Sequence, residues 1–209
     1  MFVLAHTGIT LGATVLLNSI LPKGTTHRLK RSTEPSIKVP ANPDNPRNRM
    51  ASWLGSLGDI IDIRLLLIGS LLPDIIDKPV GIYLFGETIS SGRIYGHTLL
   101  FLIVISVAGF SLYRRYSKNW LLVVSFGSFV HLILDKMWLE TETLLWPLYG
   151  FAFERREINN WWQWQWNQLL TEPGVYIPEI VGGVILILFV WVVVRNRKMF
   201  AFIRNGKLR

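Results

Sequence analysis

The stretch WLLVVSFGSFVHLILDKMWL, residues 120–139, decides how the chain is read. A helix rises 1.5 Å per residue, so about 20 apolar residues cross the roughly 30 Å hydrocarbon core of a bilayer. This stretch has that length, and its first eleven residues carry no ionisable group. Its second half carries His131, Asp135 and Lys136. Ionisable groups inside a membrane are expensive and mark function by default.

Similar stretches flank it. Residues 2–21 are mostly apolar with His6 as their one ionisable residue, residues 95–113 carry His97 near their start, and residues 175–194 are interrupted only by Glu179. Residues 65–72 are strongly apolar but short, and Asp59, Asp62 and Arg64 precede them. Residues 52–77 are expected to form one helix whose first turns sit at the interface. A re-entrant helix is the competing reading. Residues 2–21 have no basic start and no small-residue cleavage site before Pro22, so they read as a span and not as a signal peptide.

The composition agrees. Half of the 209 residues are hydrophobic, 17% are charged, and the mean hydropathy is +0.35. A soluble domain carries charge nearer one quarter. A soluble, disordered or fibrous chain is thereby excluded, and the absence of Cys excludes disulfides, thiolate metal sites and a Cys nucleophile. The expected fold is all-α: a polytopic membrane helix bundle forming a single domain over residues 1–209. It would have about five transmembrane helices plus an interfacial Trp-rich helix.

Loop charges set an orientation. Residues 22–50, a Pro-rich connector, carry seven basic and two acidic residues, and residues 114–118 carry three basic residues and no acid. The tail 195–209 carries six basic residues and no acid. Residues 78–94 carry only two basic and one acidic, and residues 140–174 two basic and five acidic. By the positive-inside rule the N-terminus lies outside a cytoplasmic membrane and the C-terminus inside. The net charge of +8 then reflects cytoplasmic loops facing anionic lipid. No nucleic-acid partner is expected, because the connector lacks aromatics and helical periodicity. Trp161, Trp162, Trp164 and Trp166 crowd the outer loop near Arg155 and Arg156, as a short helix lying on the outer leaflet would require.

With that orientation, helix rise converts position into height. His6 and His97 each lie 17 residues from the inner face, roughly 25 Å up. His131 and Asp135 come out at roughly 18 and 24 Å, and Asp74 and Asp77 at roughly 15 and 20 Å. All six fall in the outer half of the bilayer, on four helices. His131 and Asp135 are four apart, and Asp74 and Asp77 three apart, so each pair shares a helix face. Ionised carboxylates only accept hydrogen bonds, so three of them with three imidazoles make a poor cluster alone. A divalent metal resolves this, and imidazole with carboxylate suits zinc foremost, or manganese or iron. Six candidate ligands allow one ion or two. Taken singly, each group has a plainer reading: an interfacial His6, a capping His97, an interhelical His131–Asp135 pair, and Asp74 or Asp77 paired with Lys78. Their common height favours the metal site.

The motifs that carry these residues resemble a known family. They are His6 with Gly8 and Gly12, GSLLPDIIDKP at 69–79, GRIYGHT at 92–98, HLILD at 131–135 and ETLLWP at 142–147. In order, over roughly residues 1–150, they resemble the LexA-regulated, membrane-bound metal-dependent hydrolases of bacteria and archaea. That family commonly spaces its two aspartates by one residue. Here Ile75 and Ile76 separate them, which favours Asp74 over Asp77 as a ligand. The family looks like a distant relative of zinc-dependent phospholipase C and single-strand nucleases, which use His and Asp on helices to bind metals and cleave phosphoesters.

The expected function is therefore a membrane-embedded metal-dependent hydrolase. It would use metal-activated water to cleave a phosphoester, or other ester, of a lipid or lipid-linked substrate. His6, Asp74, His97, His131 and Asp135 would hold metal. Asp77 would be a further ligand or a general base, Glu142 a weaker general-base candidate, and Arg93 a phosphate-neutralising group at the outer mouth. Two other classes compete. An ion- or proton-coupled transporter would use the same buried Asp and His, but five spans allow no evident inverted repeat. A non-catalytic membrane protein would use the metal as a staple.

Overall fold

The computed structural model describes residues 3–20, 61–84, 92–153 and 161–206. The connector at 22–50, Asp59 and the Arg155–Arg156 pair lie outside the described residues. All regular structure among the described residues is helical. The long helices are α1 (Val3–Ile20), α2 (Ile63–Lys78), α3 (Leu99–Tyr116) and α4 (Trp120–Leu134). After the short α5 (Thr141–Leu144) come α6 (Trp161–Thr171), α7 (Pro173–Arg195) and α8 (Met199–Asn205). A π-helical stretch, Pro79–Leu84, prolongs α2. Of these, α3 and α7 are long and apolar enough to cross a membrane, while α4 and the Val3–Leu16 part of α1 are apolar but shorter. Along α3, Leu100, Ile103, Val104, Val107 and Phe110 are exposed, a face suited to hydrocarbon.

Three helix ends differ from the expected spans, each for a local reason. Among the described residues α2 begins at Ile63, well inside the helix expected over 52–77. Asp62 adopts extended backbone there and its carboxylate accepts from the Arg64 N–H at 3.0 Å, a side-chain N-cap. α3 starts at Leu99 because Thr98 caps it, accepting from the Phe101 N–H at 3.0 Å. His97 therefore sits in the turn before the helix. α4 stops at Leu134, where Lys136 takes left-handed backbone (φ 55°), so Asp135 closes the helix.

Small residues let the helices touch. A Cβ on Gly127 would fall 2.6 Å from the Leu66 carbonyl oxygen, and one on Gly69 would strike the Val124 backbone. α2 and α4 thus meet backbone to backbone, as close-packed membrane helices do. Pro73 lies inside α2 and has no N–H to offer the Gly69 carbonyl one turn earlier. Ser128 of α4 supplies the missing donor, its hydroxyl reaching Gly69 O at 3.0 Å. On the other side of the bundle, Gly8 of α1 and Gly182 of α7 leave no room for a side chain between the two backbones. Glu179 of α7 then accepts from the N–H groups of Leu4 and Ala5 at 3.1 and 3.2 Å. The first turn of any helix leaves such donors open, and α1 has them capped by another helix.

The bundle divides along its length. Leu11, Ile63, Val192 and Val193 form an apolar core, with Val15, Leu67, Phe189 and Phe202 packed on it. This core lies where α2 starts and α7 ends. The opposite halves of α1, α2, α4 and α7 carry His6, Asp74, Asp77, His131 and Glu179. At the apolar end α8 docks on the start of α2. The Ile63 N–H donates to Gly206 O at 3.3 Å, and Arg64 Nη1 donates to Ile203 O at 2.9 Å. Gly206 takes left-handed backbone (φ 64°) against Asp62, where a Cβ would collide with the carboxylate.

Two outcomes follow from these contacts. Ser128→Ala leaves the Gly69 carbonyl without its donor and should destabilise the protein by about 1–3 kcal/mol in detergent unfolding. A change under about 0.5 kcal/mol would show that the carbonyl is satisfied otherwise. Burial pushes the Asp62 carboxyl up, but the hydrogen bonds and charge of Arg64 outweigh it and hold it below its ordinary 3.8. A depressed carboxyl stabilises above its ordinary value and loses that contribution as pH falls through the folded value. The melting temperature should therefore drop below about pH 4, and Asp62→Asn should flatten that part of the profile.

Candidate metal centre

His97 and His131 are completely buried, and each has its Nδ1 taken by a backbone or carboxylate oxygen. His131 Nδ1 lies 2.7 Å from the Ser70 carbonyl oxygen, which can only accept. His97 Nδ1 lies 2.7 Å from Asp77 Oδ2. Both Nδ1 atoms therefore carry the proton, and both Nε2 atoms present a lone pair in the neutral ring. These two Nε2 atoms face each other at 3.1 Å. Two lone pairs at that distance need a cation between them, either a proton or a metal ion.

Two carboxylates complete the set. Asp74 Oδ1 lies 3.7 Å from His97 Nε2 and 4.0 Å from His131 Nε2. Asp135 Oδ2 lies 3.6 and 3.9 Å from the same atoms. One ligand atom from each of the four residues lies within 4.8 Å of every other, and all four residues are buried. Ligands about 2.0–2.2 Å from a tetrahedral zinc ion stand about 3.3–3.6 Å apart. The observed edges are at most a few tenths of an ångström from that range, apart from the less tightly bounded carboxylate pair. The group could hold a metal ion.

Asp77, expected as a further ligand or a base, has a different place. Its Oδ2 accepts from the Ile94 N–H at 2.7 Å, the His97 N–H at 3.1 Å and the His97 ring, and its Oδ1 accepts from the Gly96 N–H at 2.7 Å. These four donors occupy both oxygens of the fully buried carboxylate and tie it to His97. Gly96 is required beside it, since a Cβ there would lie 2.9 Å from Pro73 O and 3.1 Å from Asp77 Oδ1.

His6 stacks on His131, with ring centroids 4.0 Å apart at 21°. Its Nε2 comes within 3.1 Å of Asp135 Oδ1, the carboxylate oxygen turned away from the other two histidines. That approach lacks hydrogen-bond geometry, and both His6 ring nitrogens are buried without a hydrogen-bond partner among the described residues. His6 thus stands beside the four-residue group and shares Asp135 with it. Arg93 reaches Asp135 Oδ2 through Nε at 3.1 Å and Nη2 at 3.0 Å, and Glu140 through Nη1 at 2.5 Å. Glu142 is exposed, and no ion pair ties it to the group among the described residues.

A family model described as YdjM inner membrane protein matches residues 42–202. The chain belongs to that family. No curated protein and no solved structure matches it. The YdjM match takes in the helices that bring Asp74, His97, His131 and Asp135, and it begins after α1 and His6.

Several residues of this YdjM-family site escape sequence reasoning. Glu140 sits two residues before the expected Glu142 and carries no spacing signal. Ser70 acts through its carbonyl, which no side-chain pattern reveals. Glu179 did have a signal, as the sole acid in an apolar stretch of α7. Carboxylates that orient metal-bound histidines tune affinity strongly. Asp77→Asn should therefore weaken the uptake of a titrated divalent ion by about 10- to 100-fold in chelator competition. An unchanged affinity would mean that the loop 94–97 holds His97 without the charge.

Proposed function

We propose that this chain is a membrane-embedded metal-dependent hydrolase that cleaves a phosphoester, or another ester, of a lipid-linked substrate. The single observation that carries the reading is the facing pair of His97 and His131 Nε2 lone pairs, flanked by Asp74 and Asp135. The ligand set of two imidazoles and two carboxylates suits zinc, with manganese or iron as alternatives. His6 and Asp135 Oδ1 offer a start for a second ion next to the first. When bound, a divalent ion supplies Lewis acidity, which polarises an ester oxygen and acidifies water.

The residues prepare that chemistry. Asp77 and the Ser70 carbonyl hold both imidazoles in the tautomer that binds metal. Asp74 and Asp135 supply negative charge, and burial keeps bulk water from competing. Hydrolysis consumes one water: its oxygen bonds to phosphorus, the bond from phosphorus to the alcohol oxygen breaks, and the alcohol leaves with a proton.

The proposed setting is a bundle of about five spans in a cytoplasmic membrane, with the N-terminus outside. Alternating loop charge supports the orientation, and the family description and the apolar lengths of α3 and α7 support the membrane setting. The site then opens toward the outer leaflet, next to lipid, with α6 lying on that surface and anionic lipid facing the basic inner loops.

The test uses full-length protein purified in detergent. Elemental analysis should find at least one divalent ion per chain, lost with chelator. Phospholipid and generic phosphoester hydrolysis should fall by about 100-fold or more in Asp74→Asn and His131→Ala, since the ion's Lewis acidity supplies several kcal/mol. Protein without bound metal, whose metal content is indifferent to His131→Ala, would overturn the reading. Metal-dependent thermal stability with no activity on a broad panel would make the ion a staple instead.

A further inference from the structure

The metal group is shielded on every element that builds it, and the charged groups with partial exposure stand at one place. Lys78 and Arg93 are 29% and 24% exposed, against 4% for Asp135 and none for either histidine. Lys78 Nζ rests on Asp74 Oδ2 at 2.7 Å, leaving Oδ1 toward the histidines. Arg93 rests on Asp135 Oδ2 and on Glu140. The backbone that carries Arg93 passes the Lys78 side chain: a Cβ on Gly92, the residue before Arg93, would lie 3.9 Å from Lys78 Cγ. Glu140, which Arg93 holds, is 23% exposed beside the pair.

Charge counting shows what the pair does when an ion is present. Asp74, Asp77, Asp135 and Glu140 are four carboxylates against the cations Lys78 and Arg93, an excess of two negative charges. A divalent ion cancels that excess. Asp135, which would help to hold the ion, is also the carboxylate that Arg93 contacts, and Asp74 is the one that Lys78 contacts. With the ion bound the whole group, Lys78 and Arg93 included, would be neutral, so its net charge would no longer repel a phosphate from the ammonium and guanidinium at its rim. A guanidinium fork and a compact ammonium together suit the oxygens of a phosphate. A neutral carboxylic ester offers neither cation a charged partner.

We propose that Lys78 and Arg93 form a two-cation clamp that selects a phosphate-bearing substrate at the mouth of the metal site. The inference rests on the metal-dependent reading above and narrows its substrate from esters in general to phosphate esters. The phosphate belongs to a lipid headgroup or to a free anion, and the clamp chemistry is common to both.

The experiment is calorimetric titration of zinc-loaded, full-length protein in detergent, with inorganic phosphate in one arm and short-chain phosphatidic acid in the other. Metal content is measured on every sample. Wild type should bind phosphate, and tighter binding of phosphatidic acid would assign the headgroup. Lys78→Gln and Arg93→Gln should each weaken binding by about tenfold, the scale of one charge-assisted hydrogen bond, with zinc content unchanged. Arg93→Lys keeps the charge without the fork and should retain more binding than Arg93→Gln. Zinc-loaded wild type that binds neither probe, or Gln variants that hold zinc and bind as wild type, would overturn the clamp alone. A wild-type chain that takes up no metal would overturn the clamp together with the reading beneath it.

Discussion

The carboxylate of Asp77 is the constraint on which the site depends. An ionised carboxyl taken out of water loses several kcal/mol of solvation unless donors replace the water. Four N–H groups do so here, three from the backbone of residues 94–97 and one from the His97 ring. To deliver them, residues 94–97 must lie over the end of α2 before α3 begins. That placement fixes the imidazole of His97 in place and in protonation. The facing His131 is fixed from the same helix, through the Ser70 carbonyl. One end of α2 therefore sets both histidines, and it contributes Asp74 between them.

Much of this was legible in the sequence, for reasons that can be named. Helix rise is constant, so counting from basic loops gave His6, Asp74, His97, His131 and Asp135 a common level. The structure brings these side chains into one neighbourhood. Asp74 does pair with Lys78, one of the plainer readings set beside the metal site. The role of Asp77 was not legible. Spacing puts it on the same face as Asp74 but cannot show that backbone N–H groups of a distant turn converge on it. The ends of the ligand helices were missed for a related reason. Caps at Asp62 and Thr98 and the left-handed Lys136 are local events inside a hydropathy signal that averages over many residues.

The same logic explains why the ligands sit where helices end. Asp135 closes α4 and His97 precedes α3, so their backbones escape the fixed radial directions of a helix interior. Mid-helix positions are used where two helices touch closely, as at Gly69 and Gly127, and there the small residues bring α2 and α4 near enough for His131 to reach Ser70. Pro73 belongs to this contact as well. It opens a carbonyl that Ser128 closes, which couples the two helices by a hydrogen bond in place of side-chain bulk.

Glu179 has a consequence for how the molecule is built. It lies on α7 and holds the first turn of α1, one residue away from His6. During synthesis α1 emerges first, and α2, α3 and α4 with the four clustered ligands follow. The acid that seats α1 is translated after all of them. The support that Glu179 gives to the turn before His6 is therefore the last to be synthesised, whereas the four clustered ligands, Asp74, His97, His131 and Asp135, are all translated before it.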